Sequence, residues 1–119
     1  MTKIAFQRLF VSILLLALLM PGLAAPAATV RAQEPFDCST VTDGMPQPQC
    51  EALVALYNAT DGENWVHNVG WLETTTPCGW HGVGCDGDGN VTQLALTSNK
   101  LSGALPDEIG DLTALTYIY

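Results

Sequence analysis

Basic residues are scarce in this sequence: four Lys and Arg stand against 12 Asp and Glu among 119 residues, a formal charge of −8. That balance excludes a nucleic-acid binder, because nothing is available to neutralise a phosphate backbone. Charge of either sign is also sparse, at 13% of residues. With a mean hydropathy of +0.22, the chain lacks the polar, charge-rich composition that keeps a chain disordered. A long apolar run is missing too. The longest, Phe10 to Met20 (FVSILLLALLM), stops at Pro21-Gly22, short of the ~20 residues that a membrane-spanning helix needs.

That block has another reading. Lys3 and Arg8 precede it and an Ala/Pro tract follows it, the order of basic, apolar and small-residue regions in a secretory signal peptide. We expect residues 1–32 to be this leader, cut after Ala32 with Val30 and Ala32 as the small residues, and with Ala25 and Ala28 as alternative cut sites. Its removal leaves 87 residues in which Lys100 is the single cation against all 12 carboxylates, a charge of −11. Anionic membranes and nucleic acids repel such a surface, so the expected partners are neutral or basic.

All four cysteines, Cys38, Cys50, Cys78 and Cys85, lie downstream of the leader. An even count in a small exported domain reads as two disulfides. Three connectivities are open, and the sequence-local one, Cys38–Cys50 with Cys78–Cys85, is favoured because each bond closes a short loop. The competing use is zinc, through Cys78, His81 and Cys85, but no fourth ligand with familiar spacing follows. No metal or cofactor is therefore expected.

Residues 33–48 are rich in Pro and turn signals (Pro35, Asp43-Gly44, Pro46, Pro48) and read as a tethered N-terminal arm. Gln49 to Ala59 lacks Gly and Pro and repeats Ala52, Leu53, Leu56 and Tyr57 at helical spacing, which predicts a short amphipathic helix. Pro48 can start it and Asp61-Gly62 can end it, with Gly62 taking the left-handed conformation. Trp65, Trp71 and Trp80 then fall in an irregular segment studded with Gly70, Pro77, Gly79, Gly82 and Gly84. They are expected to form an aromatic plug, the alternative being a sugar-stacking platform. Asp86-Gly87-Asp88-Gly89-Asn90 opens like a calcium loop, but Val91 stands where that loop needs Gly and Thr97 where it needs Glu. A tight turn between two extended segments fits better.

From Val91 the pattern changes. Leu115 repeats Val91 and Ile118 repeats Leu94, both 24 residues on, inside the 20–29-residue range of leucine-rich repeats. In one coil of such a solenoid Leu94 and Leu96 point inward along a short strand. Asn99 turns the chain off that strand and satisfies buried main-chain groups, as one rung of an asparagine ladder between coils.

At this length the resemblance is specific. VTQLALTSNKLSGALPDEIGDLTAL resembles the plant-type leucine-rich repeat, with Leu101, Gly103, Leu105, Pro106, Ile109, Gly110 and Leu112 in its L-x-G-x-[IL]-P-x-x-[IL]-G-x-L half. ALVALYNATDGENWVHNVGW followed by CGWHGVGC resembles the family's N-terminal capping domain, whose C-x-W-x-G-V-x-C element (Cys78, Trp80, Gly82, Val83, Cys85) forms a disulfide. The resemblance implies the start of an α/β solenoid: a signal peptide (1–32), an arm (33–48), a cap of short helix, stapled loops and β-hairpin (49–90), a first repeat (91–114) and a truncated second repeat (115–119). Similar cap-plus-repeat sequences occur in receptor-like kinase ectodomains, polygalacturonase-inhibiting proteins and exported bacterial proteins.

A coil cannot cover its apolar flank alone, and a stable solenoid needs about three or more repeats. The expectation is a fragment that leaves Leu101, Leu105, Ile109 and Leu112 with an open flank, is monomeric only with difficulty on its own, and belongs to a monomeric full-length protein.

A binding surface should use the concave strand face: Gln93, Ala95, Thr97 and Ser98 in the first coil, with Tyr117 and Tyr119 as the counterparts of Gln93 and Ala95. Tyr is a favoured interface anchor, although β-propensity alone also places Tyr on strands. Catalysis is not expected. There is no G-x-S-x-G, H-E-x-x-H or phosphate loop, and Asp107-Glu108 falls on the outer return segment. Asn58-Ala59-Thr60 and Asn90-Val91-Thr92 are sequons that matter only in a eukaryotic secretory path. The leading reading is an exported recognition module for a protein or glycan ligand. The alternatives are the sensor ectodomain of a receptor kinase-like enzyme and an inhibitor of an extracellular hydrolase.

Overall fold

The computed structural model describes residues 34–119; the expected signal peptide lies outside them. Helix α1 spans Gln47–Ala59. It begins two residues before the sequence reading placed it, so the arm ends at Pro46. Pro48 sits in the first turn, where a missing N–H costs nothing, and Pro46 O receives the N–H groups of Gln49 and Cys50. The buried stripe is Cys50, Ala52, Leu53, Leu56 and Tyr57. At the C-terminus Thr60 donates both its N–H (3.1 Å) and its hydroxyl (2.6 Å) to Leu56 O. The left-handed residue is then Asp61 (φ 60°), not Gly62. Asp tolerates this region better than most side chains. Gly62 serves a different purpose, since a Cβ there would overlap the ring of Tyr57.

Three strands follow: β1 (Val83–Cys85), β2 (Val91–Leu94) and β3 (Tyr117–Ile118). β1 and β2 form the expected hairpin, antiparallel with an irregularity between Gly84 and Cys85, and β3 joins β2 in parallel. The hairpin turn closes on Asp86, whose Oδ1 accepts from the main-chain N–H groups of Asp88 (2.9 Å) and Asn90 (3.0 Å). The bond from Asn90 N–H, ahead of the others, holds the Asp86 carboxyl below the usual carboxylate range. The carboxylate is thus engaged in making the turn.

One core joins the cap to the repeat. Trp65, Trp71 and Trp80 are 4%, 2% and 1% exposed. Trp71 sits at the centre, with ring centroids 5.0 Å from Trp65, 5.1 Å from Trp80 and 5.9 Å from Tyr57. Each indole N–H finds an acceptor: Thr60 O for Trp65, His81 O for Trp71, and Thr74 for Trp80. Rings so covered are the expected plug and have no face left for a sugar.

The disulfides are Cys38–Cys50 and Cys78–Cys85. Cys78 and Cys85 therefore have no thiolate to offer zinc. The arm is more than tethered. Phe36 packs edge-on to Trp80 at 5.3 Å, Met45 is buried, and the Asp43 carboxylate accepts from Met45 N–H and Cys78 N–H.

Gln49 and Gly103 are among the contacts that seat the repeat on the cap. Gln49, 5% exposed, accepts from Val91 N–H through Oε1 (2.7 Å) and donates from Nε2 to Asn90 Oδ1 (2.9 Å). Gly103, at φ 105°, lies so close to Ala59 O that a Cβ would collide with it. Inward Val91, Leu94, Leu96 and Leu112 are buried. Of the four residues expected on the open flank, Leu101 (38% exposed) and Leu105 (57%) lie open, whereas Leu112 is buried and Ile109 is half-buried, because both pack against the core; Ile118 is 53% exposed as well. A 3₁₀ turn over Asp107–Asp111 forms the return segment, with Asp107 and Glu108 exposed.

Candidate functional site

The sheet register decides which solvent-facing side chains stand together. Gln93 pairs with Gly84 of β1 on one side and with Tyr117 of β3 on the other. Tyr119 continues this register past the end of β3: its N–H donates to Leu94 O and its carbonyl accepts from Leu96 N–H, both at 2.8 Å. Ala95, on the matching position of the first coil, donates its N–H to Gly82 O at 2.7 Å. Two columns result. One runs Gly84, Gln93, Tyr117 and the other Gly82, Ala95, Tyr119, so the surface rises from bare main chain at the cap to two phenols.

Tyr117 and Tyr119 are 58% and 65% exposed. Their rings lie 6.3 Å apart and within 4° of parallel, as expected for alternate residues projecting from one face of a strand. Gln93 is exposed and Ala95 half-buried. Thr97 and Ser98 are exposed but stand off the columns: the chain has left β2 at Leu94, and Ser98 is left-handed (φ 56°) in the turn that follows. The six residues thus divide into a four-residue patch and a separate rim. None carries a charge, in a chain whose excess is strongly acidic.

Asn99 is 2% exposed and structural. Its Oδ1 accepts from His67 N–H at 2.6 Å and its Nδ2 donates to His67 O at 2.9 Å. A third bond, between main-chain atoms from Val66 N–H to Asn99 O, completes the clasp. In this first coil the asparagine ladder has no preceding Asn to meet, and the cap loop supplies the main chain in its place. Among the described residues no buried side-chain polar atom lacks a partner.

Residues 46–86 match the leucine rich repeat N-terminal domain family. This segment is a leucine-rich-repeat N-terminal domain. The LRR receptor-like serine/threonine-protein kinase FEI 2 of Arabidopsis thaliana is 39% identical to the chain over 69 residues, covering 57% of this chain and 12% of the kinase. The probable inactive receptor kinase RLK902 of the same plant is 35% identical over 108 residues, 90% of this chain and 13% of the kinase. The crystal structure of a leucine-rich repeat protein from Bacteroides eggerthii superposes with a TM-score of 0.52 at 25% identity, over 80% of this chain and 15% of that one. A second, from Bacteroides thetaiotaomicron, gives 0.51 at 31% identity over 59% and 10%. The chain therefore spans about an eighth of the two kinases. The fold is the start of a leucine-rich-repeat solenoid behind its N-terminal domain. Among the described residues no helix is long and apolar enough to cross a membrane.

Two features escaped the sequence reading. Gln49 appeared only as the first residue of a helix, with no local signal that its amide would cap β2. His67 and His81 are 14 residues apart in the sequence, yet their rings lie 5.2 Å apart at the cap surface.

Proposed function

We propose that this chain is the cap-proximal end of an exported recognition module that performs no chemistry of its own. In this reading it binds a protein or glycan ligand through the Gln93, Ala95, Tyr117 and Tyr119 patch, with Thr97 and Ser98 at its rim. The supporting observation is the parallel pairing of Gln93 with Tyr117, which sets two exposed phenols beside a low ledge of Gly82, Gly84 and Ala95. Phenols offer apolar area and a hydrogen-bonding tip at small entropic cost, which suits both peptide and sugar ligands. Two disulfides and the expected signal peptide support export. The receptor kinases among the relatives favour a second reading, in which this recognition module is the sensor ectodomain of a larger signalling protein.

The test is a screen of the full-length exported protein against glycan arrays and secreted-protein libraries. It is repeated with Tyr117→Ala/Tyr119→Ala and with the return-segment variant Asp107→Asn/Glu108→Gln. Ligands lost with the tyrosine pair and retained with the acidic pair support the concave patch. Ligands with the opposite pattern refute it. A signalling sensor is distinguished by coupling of ligand addition to a kinase activity of the complete protein.

A further inference from the structure

We infer that His67 and His81 form a two-imidazole site for a borderline divalent transition ion of the zinc and nickel class. Imidazole nitrogens bind such ions at about 2.0–2.1 Å, and with each nitrogen about 1.1 Å from its ring centre, a tetrahedral ion places two ring centroids about 5 Å apart. The observed separation is 5.2 Å, with the rings tilted by 36°. Both residues are exposed and, among the described residues, no third His, Cys, Asp or Glu joins them to make a group of three, so water or a donor on a partner would complete the coordination.

The geometry is held from both sides by main chain. His67 is clasped through its N–H and carbonyl by the Asn99 amide. His81 donates its N–H to Val69 O, and its carbonyl receives the indole N–H of buried Trp71. These bonds use no ring nitrogen and fix the main chain of both residues, so only the two side chains remain to be ordered when an ion binds. The net charge of −11 on residues 33–119 favours any cation at this surface. The bound ion would pin the loop after α1 to the Cys78–Cys85 loop, next to the Gly82 end of the concave ledge. This site is independent of the ligand proposed for that ledge.

The experiment titrates the full chain with Ni²⁺ and, separately, Zn²⁺, both read by calorimetry, and the diamagnetic Zn²⁺ also by the histidine side-chain resonances in NMR. One ion per chain is expected, with both imidazoles shifting together. His67→Ala and His81→Ala should each weaken binding about tenfold or more, because the second imidazole of a chelating pair acts at high effective concentration. The double variant should bind no better than either single one. Ni²⁺ should raise the melting temperature of the parent chain and leave both variants unmoved. If a variant folds poorly, the parent resonances alone decide, because a shared site must shift both rings at the same stoichiometry. Binding that perturbs one ring alone, or that survives both substitutions within about twofold, overturns the assignment.

Discussion

Replacing Asn99 by Ala tests the junction between cap and repeat at its most exacting point. The amide makes two hydrogen bonds, at 2.6 and 2.9 Å, to the main chain of His67, 32 residues away. Each such bond contributes about 0.5–1.5 kcal/mol net, and a partner left unsatisfied away from water costs more. The His67 groups are only partly buried, so some rehydration is available, and the summed loss should be about 2–3 kcal/mol. In a domain of this size that lowers the melting temperature by about 10–20 °C. Urea unfolding gives the free energy, and amide hydrogen exchange localises it. His67 N–H should lose its protection, whereas Val66 N–H, bonded to the main-chain carbonyl of residue 99, should keep more of its own. A loss under about 0.5 kcal/mol, the range of an ordinary surface change, with His67 still protected, would refute the claim that this side chain ties the repeat to its cap.

Other substitutions probe other joints. Gly103→Ala drives a Cβ into Ala59 O at a positive φ, so it should cost about 2 kcal/mol or more by thermal unfolding; a neutral result would mean that the repeat can pull away from α1 freely. Cys38→Ser/Cys50→Ser reopens a loop of sequence separation 12, and chain-entropy reasoning sets the loss at about 3 kcal/mol in urea denaturation. Asp86 has a depressed folded pKa, so its contribution is present above the ordinary aspartate value near 3.9 and fades as pH falls through the folded value. Melting curves from pH 5 to pH 2 should therefore decline less steeply for Asp86→Ala than for the parent; an unchanged slope would count against the turn's use of the charged form. Tyr117→Ala and Tyr119→Ala, on exposed side chains, should each change stability by less than about 0.5 kcal/mol, which separates binding defects from folding defects.

Much of this architecture is legible in order along the chain. The 24-residue spacing predicts that Leu94 and Leu96 are buried and that residue 117 stands beside residue 93, because a solenoid coil repeats its own length and alternation along a strand does the rest. The Gly-Asp-Asn run predicts the hairpin turn from the φ angles that only a few residues tolerate. Tertiary structure alone decides the contacts that cross between segments. The partner of Asn99 is a cap loop and not another asparagine; Gln49 bonds to residues more than 40 positions away; and the proline-rich arm is held by Phe36, Met45 and Asp43. It also decides that His67 and His81 face each other and that Asp61 rather than Gly62 turns left-handed. Spacing fixes what a residue shares with its neighbours in the chain. A hydrogen-bonding side chain takes whatever partner the completed path brings within about 3 Å, and that path is set by the core as a whole.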